Sequence, residues 1–435
     1  MSEEKFDAIV IGAGPAGSAA SYVLAKAGLN VVLLERGEYP GAKNVMGGVF
    51  YRSALDKLIP EFWKEAPLER HIIEQRLWIL DNDSAFKVGY GSEKFSKEPY
   101  NCFTVLRAKF DQWFAKKAED AGAFLIAETL AEDLIFDGNK VIGVKTGRED
   151  GDLYADVVII ADGVNSTIAK KAKFREDLKT KNVALAVKEI ISLPKEKIED
   201  RFNLQGNEGV TIEIVGKSTD GMIGTGFLYT NKDSISIGVG ALLSDFAKNN
   251  KSPNDLIEAF KSHPAVKPLL AGGETKEYMA HLIPEGGYDV IPKLYGDGWL
   301  IAGDAGMLVN SVHREGSNLA ITSGRLAAET VLKAKEKADF TSNSLSLYRQ
   351  LLEQSFILKD LKKYRKIPEL FEKNSHFFKL YPEFINEASL EFFTIDGTSK
   401  QEKLKKIIKL FREKISISRA LKDAWQFFYA FMLSR

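Results

Sequence analysis

Short, almost continuously apolar runs punctuate the first 335 residues, at positions 6–11, 30–34, 156–161 and 299–302. Each is too short for a buried helix and too uniformly apolar for a half-exposed strand, so each predicts a strand covered on both faces, as in a parallel sheet. An alanine-rich, helix-spaced stretch follows the first run and ends at Ala27-Gly28. Between residues 184 and 282 the pattern turns to alternation, with apolar positions at 226–229, a polar turn, then 234–239. A period of two predicts antiparallel strands with one buried face. From Asp339 onward glycine thins out and Lys, Glu, Leu and Phe recur at helical spacing, which predicts a helical tail. The whole pattern is that of an α/β chain with an inserted antiparallel β-sheet domain and a C-terminal helical region.

The turns between these elements carry the candidate chemistry. Run 6–11 leads into Gly12-Ala13-Gly14-Pro15-Ala16-Gly17 and then a helix. Gly12 permits the tight turn, Gly14 lets backbone approach a pyrophosphate, and Gly17 lets helix and strand pack closely, with the helix N-terminus facing the phosphate charge. Run 30–34 ends at Glu35, at the spacing where a carboxylate accepts the ribose hydroxyls of an adenosine. Two distant segments then choose the dinucleotide. Run 299–302 enters Gly303-Asp304-Ala305-Gly306, and Arg314-Glu315-Gly316-Ser317-Asn318 opens a helix. An acid directly after a strand suits ribityl hydroxyls, which nicotinamide cofactors lack, and a helix start at Gly316, Ser317 and Asn318 suits negative charge on a reduced flavin. Run 156–161 likewise ends in Ala161-Asp162-Gly163. Each fragment alone also reads as a solvated turn; together they predict FAD in a Rossmann-like domain. Gly272-Gly273 and Gly286-Gly287 are expected to follow no strand, so no separate NAD(P)H domain is expected.

Composition narrows the chemistry further. Sixty basic residues offset sixty acidic ones, so no global field draws in nucleic acid. Cys102 is the only cysteine, which excludes an internal disulfide, a redox thiol pair, a Cys-ligated zinc and a self-contained iron–sulfur cluster. The five histidines are scattered, and no metal is assigned. Residues 1–5 lack the basic and apolar regions of a secretory signal, and no apolar run reaches the roughly 18 residues that span a bilayer. The expected location is cytoplasmic, with room for a peripheral membrane contact.

These residues resemble the flavoproteins with a glutathione-reductase-type FAD fold, in the branch holding aromatic hydroxylases, geranylgeranyl reductases and electron-transfer-flavoprotein dehydrogenases. The likeness spans most of residues 5–335. Within that branch, Gly41-Ala42-Lys43-Asn44-Val45-Met46-Gly47-Gly48-Val49 resembles the signature of the FixC-like dehydrogenases, relatives of electron-transfer flavoprotein:ubiquinone oxidoreductase. So do Val187-Lys188-Glu189, the stretch 226–233, Ala280-His281-Leu282-Ile283-Pro284-Glu285-Gly286-Gly287, and Ile291-Pro292-Lys293-Leu294. The resemblance implies FAD contacts from Arg107, Arg36, Lys43, Met46, Gly47, Gly48 and Ala131. Read physically, Gly47-Gly48 lets backbone lie against an isoalloxazine face or is an ordinary tight turn. The implied layout is an FAD-binding domain over residues 1–75, 101–175 and 290–338, a substrate or quinone sheet domain over 76–100 and 176–289, and a helical region over 339–435.

With no cysteine after Cys102, the chain resembles the split type, which implies a separate small ferredoxin-like iron–sulfur subunit, a two-subunit electron transfer flavoprotein and a quinone as partners, in complexes that oxidise NADH and bifurcate electrons. A stand-alone isoprenoid double-bond reductase is the rival reading, weakened because many of its members pair cysteines near the flavin; a noncatalytic FAD scaffold is a third. In the tail, a basic stretch from Lys403 precedes Trp425, Phe427, Phe428, Tyr429, Phe431, Met432 and Leu433. That combination fits either an interfacial membrane anchor or a surface packed on the FAD domain or a partner. His313 is either a donor to a quinone oxygen or a surface histidine.

Overall fold

In the computed structural model, which describes residues 5–43 and 48–433, the four apolar runs are strands Lys5–Ile11, Val31–Leu34, Leu153–Ile160 and Trp299–Ile301. They lie parallel in the order Trp299–Ile301, Leu153–Ile160, Lys5–Ile11, Val31–Leu34, with Phe124–Ile126 next. Tyr295–Gly296 adds an antiparallel edge, and the hairpin Ala131–Asp137 with Lys140–Thr146 pairs antiparallel against the start of Leu153–Ile160. Ala8, Ile9, Val10, Val157 and Ile160 are fully buried, which is why these runs show no alternation. From Lys5–Ile11 the sheet grows one way through Val31–Leu34 and the other way through Leu153–Ile160. The strand order therefore reverses between Ile11 and Ile160, which are registered neighbours at their C-terminal ends. A ligand crevice opens outside strand ends at such a point.

Helices Pro15–Lys26 and Ser317–Glu336 pack on this sheet through Leu24, Leu326 and Val331. They meet so closely that a Cβ at Gly324 would overlap the Ala16 carbonyl oxygen. The chain forms two compact units, one of residues 1–68, 101–182 and 282–363 and another of residues 69–100, 183–281 and 364–435. The tail expected from residue 339 as a third region is divided between them. Tyr348, Leu352, Ile357 and Leu361 are buried in the core of the first unit, and that burial ties residues 342–363 to the parallel sheet.

The second unit is built on a sheet in which Val183–Ser192, Ser234–Leu242, Gly224–Thr230 and Glu208–Gly216 are successive antiparallel neighbours. Glu274–Pro284 flanks Val183–Ser192. One pairing departs from the antiparallel expectation: Glu208–Gly216 runs parallel to Leu68–Leu80, a strand contributed by an earlier part of the chain rather than by a hairpin. Ala85–Gly91 then pairs antiparallel with Leu68–Leu80. Helix Pro253–Ser262, whose start is fixed by a reciprocal Ser252–Asp255 capping box, buries Leu256, Ile257 and Phe260 in this unit's core.

Helix Leu380–Phe393 docks on the same unit: Asn386 donates to Ile79 O at 3.0 Å and accepts from Ser84 Oγ at 3.1 Å. Lys400–Lys414 folds back along it, with Lys414 on Glu387 at 2.5 Å and Lys403 on Asp396 at 3.0 Å. The final helix, Ile417–Phe428, is held by Asp423, whose buried carboxylate meets His376 Nε2 at 2.7 Å and Tyr381 OH at 2.8 Å. Its aromatic residues are only partly packed: Phe427 meets Phe377 edge to face at 6.2 Å, while Trp425 is 63% exposed and Phe428, with Tyr429 just beyond, is exposed as well. Among the described residues no helix is long and apolar enough to cross a membrane.

Candidate functional site

Four strand ends and two helix starts supply the groups at the reversal of strand order. Gly12 turns the chain at φ +100°, a left-handed value in which a Cβ would stand 2.5 Å from Ala161 O, so only glycine serves there. Its amide is held by Leu34 O at 2.8 Å. Gly14 then caps helix Pro15–Lys26, with Pro15 at the first helical position, where its missing N–H costs nothing. A Cβ at Gly14 would meet nothing within 4 Å, whereas one at Gly17 would overlap the Gly12 carbonyl oxygen. One glycine thus borders open space and the other seals a contact.

Glu35, at the end of the next strand, is oriented by the backbone. Its carboxylate accepts from Ala13 N–H at 3.1 Å and from Gly37 N–H at 2.7 Å, so it sits beside the glycine loop. Glu128 and Thr129 donate their amides to Gly37 O and Glu35 O, which lays the segment leading to buried Ala131 alongside Glu35. Arg36 and Lys43 are exposed and have no partner among the described residues. Met46 and Gly47 lie outside the described residues; Gly48 is buried and accepts from Val105 N–H at 2.8 Å.

The other two strand ends carry acids. Asp162 follows Leu153–Ile160, and its Oδ1 is a buried oxygen without a hydrogen-bond partner. Burial raises this carboxyl above the usual carboxylate range. Asp304 follows Trp299–Ile301 in the turn Gly303–Gly306, where Ser323 Oγ accepts the Gly303 amide at 3.0 Å. Burial pushes the Asp304 carboxyl up to about 6, with Arg107 and Arg175 pulling the other way, and no group among the described residues hydrogen-bonds it. At the start of helix Ser317–Glu336, Asn318 Nδ2 donates to Glu315 at 3.1 Å, while its buried Oδ1 is unpartnered. Cβ atoms built on Gly163 and Gly316 would meet nothing within 4 Å. Open space over three glycines, two orphaned oxygens and an unbonded carboxylate are what a dinucleotide rich in hydroxyls and phosphate would fill. The residues present fit FAD.

Two arginines organise these turns. Arg107, at the start of helix Arg107–Asp120, is clamped in a bidentate pair by Asp111, with Nε to Oδ1 at 2.8 Å and Nη2 to Oδ2 at 2.7 Å. Burial pulls its guanidinium down, but Asp111 and Asp304 outweigh that and hold it above its ordinary value. Arg175 donates to Ala305 O at 2.8 Å and to Val164 O, so one guanidinium ties the Asp162 turn to the Asp304 turn. Sequence reasoning missed Asp111 and Arg175. The four-residue helical spacing from Arg107 could have found Asp111; nothing in the spacing marks Arg175. The pair Gly286-Gly287, expected to follow no strand, does follow one, Glu274–Pro284, but it leads into the single turn Tyr288–Val290 and not into a phosphate-facing helix. His313 is exposed. Cys102 is buried with its thiol pushed up to about 12, so it is a packing residue and not a nucleophile.

An FAD-dependent oxidoreductase is the class that this fold and these strand-end groups define. The FAD dependent oxidoreductase family model matches residues 7–89, and the ETF-QO/FixC family C-terminal domain matches residues 367–432. The chain is 52% identical over 430 residues to Protein FixC of Azorhizobium caulinodans, covering 98% of this chain and 99% of that protein. It belongs to the FixC family. It is also 43% identical over 425 residues, covering 97% of this chain and 98% of the relative, to the "Probable electron transfer flavoprotein-quinone oxidoreductase YdiS" of Escherichia coli. A geranylgeranyl bacteriochlorophyll reductase-like protein from Thermoplasma acidophilum shares the fold, with a TM-score of 0.71 at 19% identity over 97% of this chain and 99% of that one.

Proposed function

We propose that this chain accepts electrons from a two-subunit electron transfer flavoprotein and passes them to a quinone, working with a separate ferredoxin-like subunit in an NADH-oxidising, bifurcating complex. The observation that carries this reading is the full-length likeness to a relative whose name joins both partners. The single cysteine supports it, since no set of cysteines in these residues can ligate an iron–sulfur cluster. The exposed aromatic face of Ile417–Phe428 beside Arg419 and Lys422 supports a peripheral contact with a membrane, where quinones dissolve.

In this reading Gly12, Ala13, Gly14, Pro15, Ala16 and Gly17 cradle the pyrophosphate of FAD, Glu35 accepts the ribose hydroxyls, and Asp304 accepts the ribityl hydroxyls. Asp162 and Gly163 face the same molecule from the neighbouring strand end, and Gly316, Ser317 and Asn318 stabilise negative charge at its ring. Arg107 and Arg175 hold the Asp304 turn in place. Bound FAD supplies the two-electron chemistry; the protein supplies position, charge and protons. Of residues 76–100 and 176–289, expected to bind the quinone, 176–182 and 282–289 belong to the same compact unit as these groups.

Isolation of the native complex, with its flavin and iron content, followed by electron transfer flavoprotein-dependent quinone reduction, tests the reading. A protein that runs alone and reduces polyprenyl double bonds would overturn it. A flavoprotein complex inactive toward quinone would favour the scaffold role.

A further inference from the structure

Large apolar side chains that stand in solvent gather in one short stretch. Ile395, Phe393 and Leu390 are 81%, 72% and 70% exposed, the highest values of any large hydrophobic among the described residues, and Phe392 is exposed beside them. They lie at the end of helix Leu380–Phe393 and in the turn that leads to helix Lys400–Lys414. Single exposed apolar residues are ordinary, but four within six positions mark a contact surface. On the second helix Leu404 and Ile408 are exposed four residues apart, so they share one face. The turn is firmly built: Ser399 and Glu402 form a reciprocal capping box, and Gly397 reverses the chain at φ +84°. Its two acids are already neutralised, Asp396 by buried Lys403 at 3.0 Å and Glu391 by Lys406 at 3.1 Å. Lys400 lies over the Phe392 ring at 4.8 Å. Lys405, beside Leu404, and Arg412, four residues beyond Ile408, are exposed and form no ion pair among the described residues. The surface is therefore apolar with a border of unopposed positive charge.

We propose that this turn inserts into the surface of a bilayer containing anionic lipid, with Phe393 and Ile395 entering the acyl boundary and Lys405 and Arg412 meeting the phosphates; this deepens, and rests on, the membrane contact in the reading above. The shape and charge favour lipid over a protein groove. The apolar groups sit at a helix-to-helix turn, each open over most of its surface, which is the form of a wedge and not of a hollow. A fluid acyl layer closes around such a wedge, and the cations beside it are attracted by an anionic headgroup layer. Contact through this turn as well as through Ile417–Phe428 attaches one compact unit at two places.

The test uses full-length, FAD-loaded protein and vesicles of phosphatidylcholine alone or mixed with phosphatidylglycerol. F393S/I395S should weaken partitioning into the mixed vesicles by about tenfold or more, and K405E/R412E by a similar factor, with FAD content unchanged. On phosphatidylcholine alone K405E/R412E should match wild type. Cys102 is buried, so a nitrobenzoxadiazole dye can be attached selectively through F393C, and its emission should move to shorter wavelength on mixing with vesicles. Vesicle binding that both double variants leave unchanged, with the dye still in water, would overturn the insertion while leaving a contact through Trp425 standing. A wild-type protein that binds neither kind of vesicle would overturn the membrane contact and this inference with it. A two-copy association in light scattering that F393S/I395S abolishes without altering vesicle binding would assign the turn to a contact between chains and overturn the lipid assignment.

Discussion

Gly14 and Gly17 separate what the glycine loop does for the protein from what it does for FAD. In Gly14→Ala the new methyl enters space that no protein atom occupies within 4 Å, at φ −76° and ψ −176°, which alanine adopts without strain. For the FAD-free protein two small effects oppose each other. Alanine stiffens the unfolded chain by about 0.4–1 kcal/mol, and it caps a helix worse than glycine by a similar amount. The unfolding free energy should therefore move by less than about 1 kcal/mol. In Gly17→Ala the methyl overlaps the Gly12 carbonyl oxygen and crowds Val10 Cγ1 at 3.2 Å. Backbone must shift, and overpacking of this kind costs about 1–3 kcal/mol.

The order reverses for FAD. If the pyrophosphate lies over Gly14, the Gly14 methyl collides with ligand at a comparable cost, which at about 1.4 kcal/mol per tenfold is roughly a 10- to 100-fold loss of affinity. Urea unfolding of the FAD-free variants and fluorescence titration with FAD measure the two quantities separately. A Gly14→Ala protein that binds FAD like wild type would refute the placement of the pyrophosphate. One that loses as much stability as Gly17→Ala would refute the packing argument.

Other substitutions probe the remaining parts. Asp304→Asn removes a carboxyl whose folded-state value, about 6, lies above its ordinary 3.8. A raised acid stabilises the fold below its unfolded value and loses that contribution as pH rises through about 6. FAD-free wild type should therefore lose about 2 kcal/mol relative to Asp304→Asn between pH 4 and 6, measured by denaturation at each pH. Ribityl hydroxyls donate to the ionised form, so wild-type FAD affinity should increase over the same interval and that of Asp304→Asn should not. Arg175→Met strips donors from Ala305 O and Val164 O and should cost about 2–4 kcal/mol in urea unfolding, with FAD weakened in parallel. Replacing Trp425 and Phe428 by Ser should reduce flotation with anionic lipid vesicles by about tenfold or more while leaving FAD content unchanged; equal flotation would remove the membrane contact.

Where a local pattern carries the information, the sequence by itself was sufficient. The strand, glycine loop, helix and acid around Gly12–Glu35 follow one another within a short stretch, and backbone sterics plus apolar burial dictate their geometry wherever they occur. The acids at 162 and 304 were legible for the same reason, each standing directly after a buried strand. Tertiary structure alone decided the rest. Arg175 matters because two turns, more than a hundred residues apart, are brought to one guanidinium, and no spacing encodes that meeting. The helical tail looked like one region because helical periodicity is local, yet its first part is held by the core around Tyr348 and its last part by Asn386 and Asp423. Whether an apolar stripe packs or stays exposed depends on what lies opposite it, and only the fold supplies that neighbour.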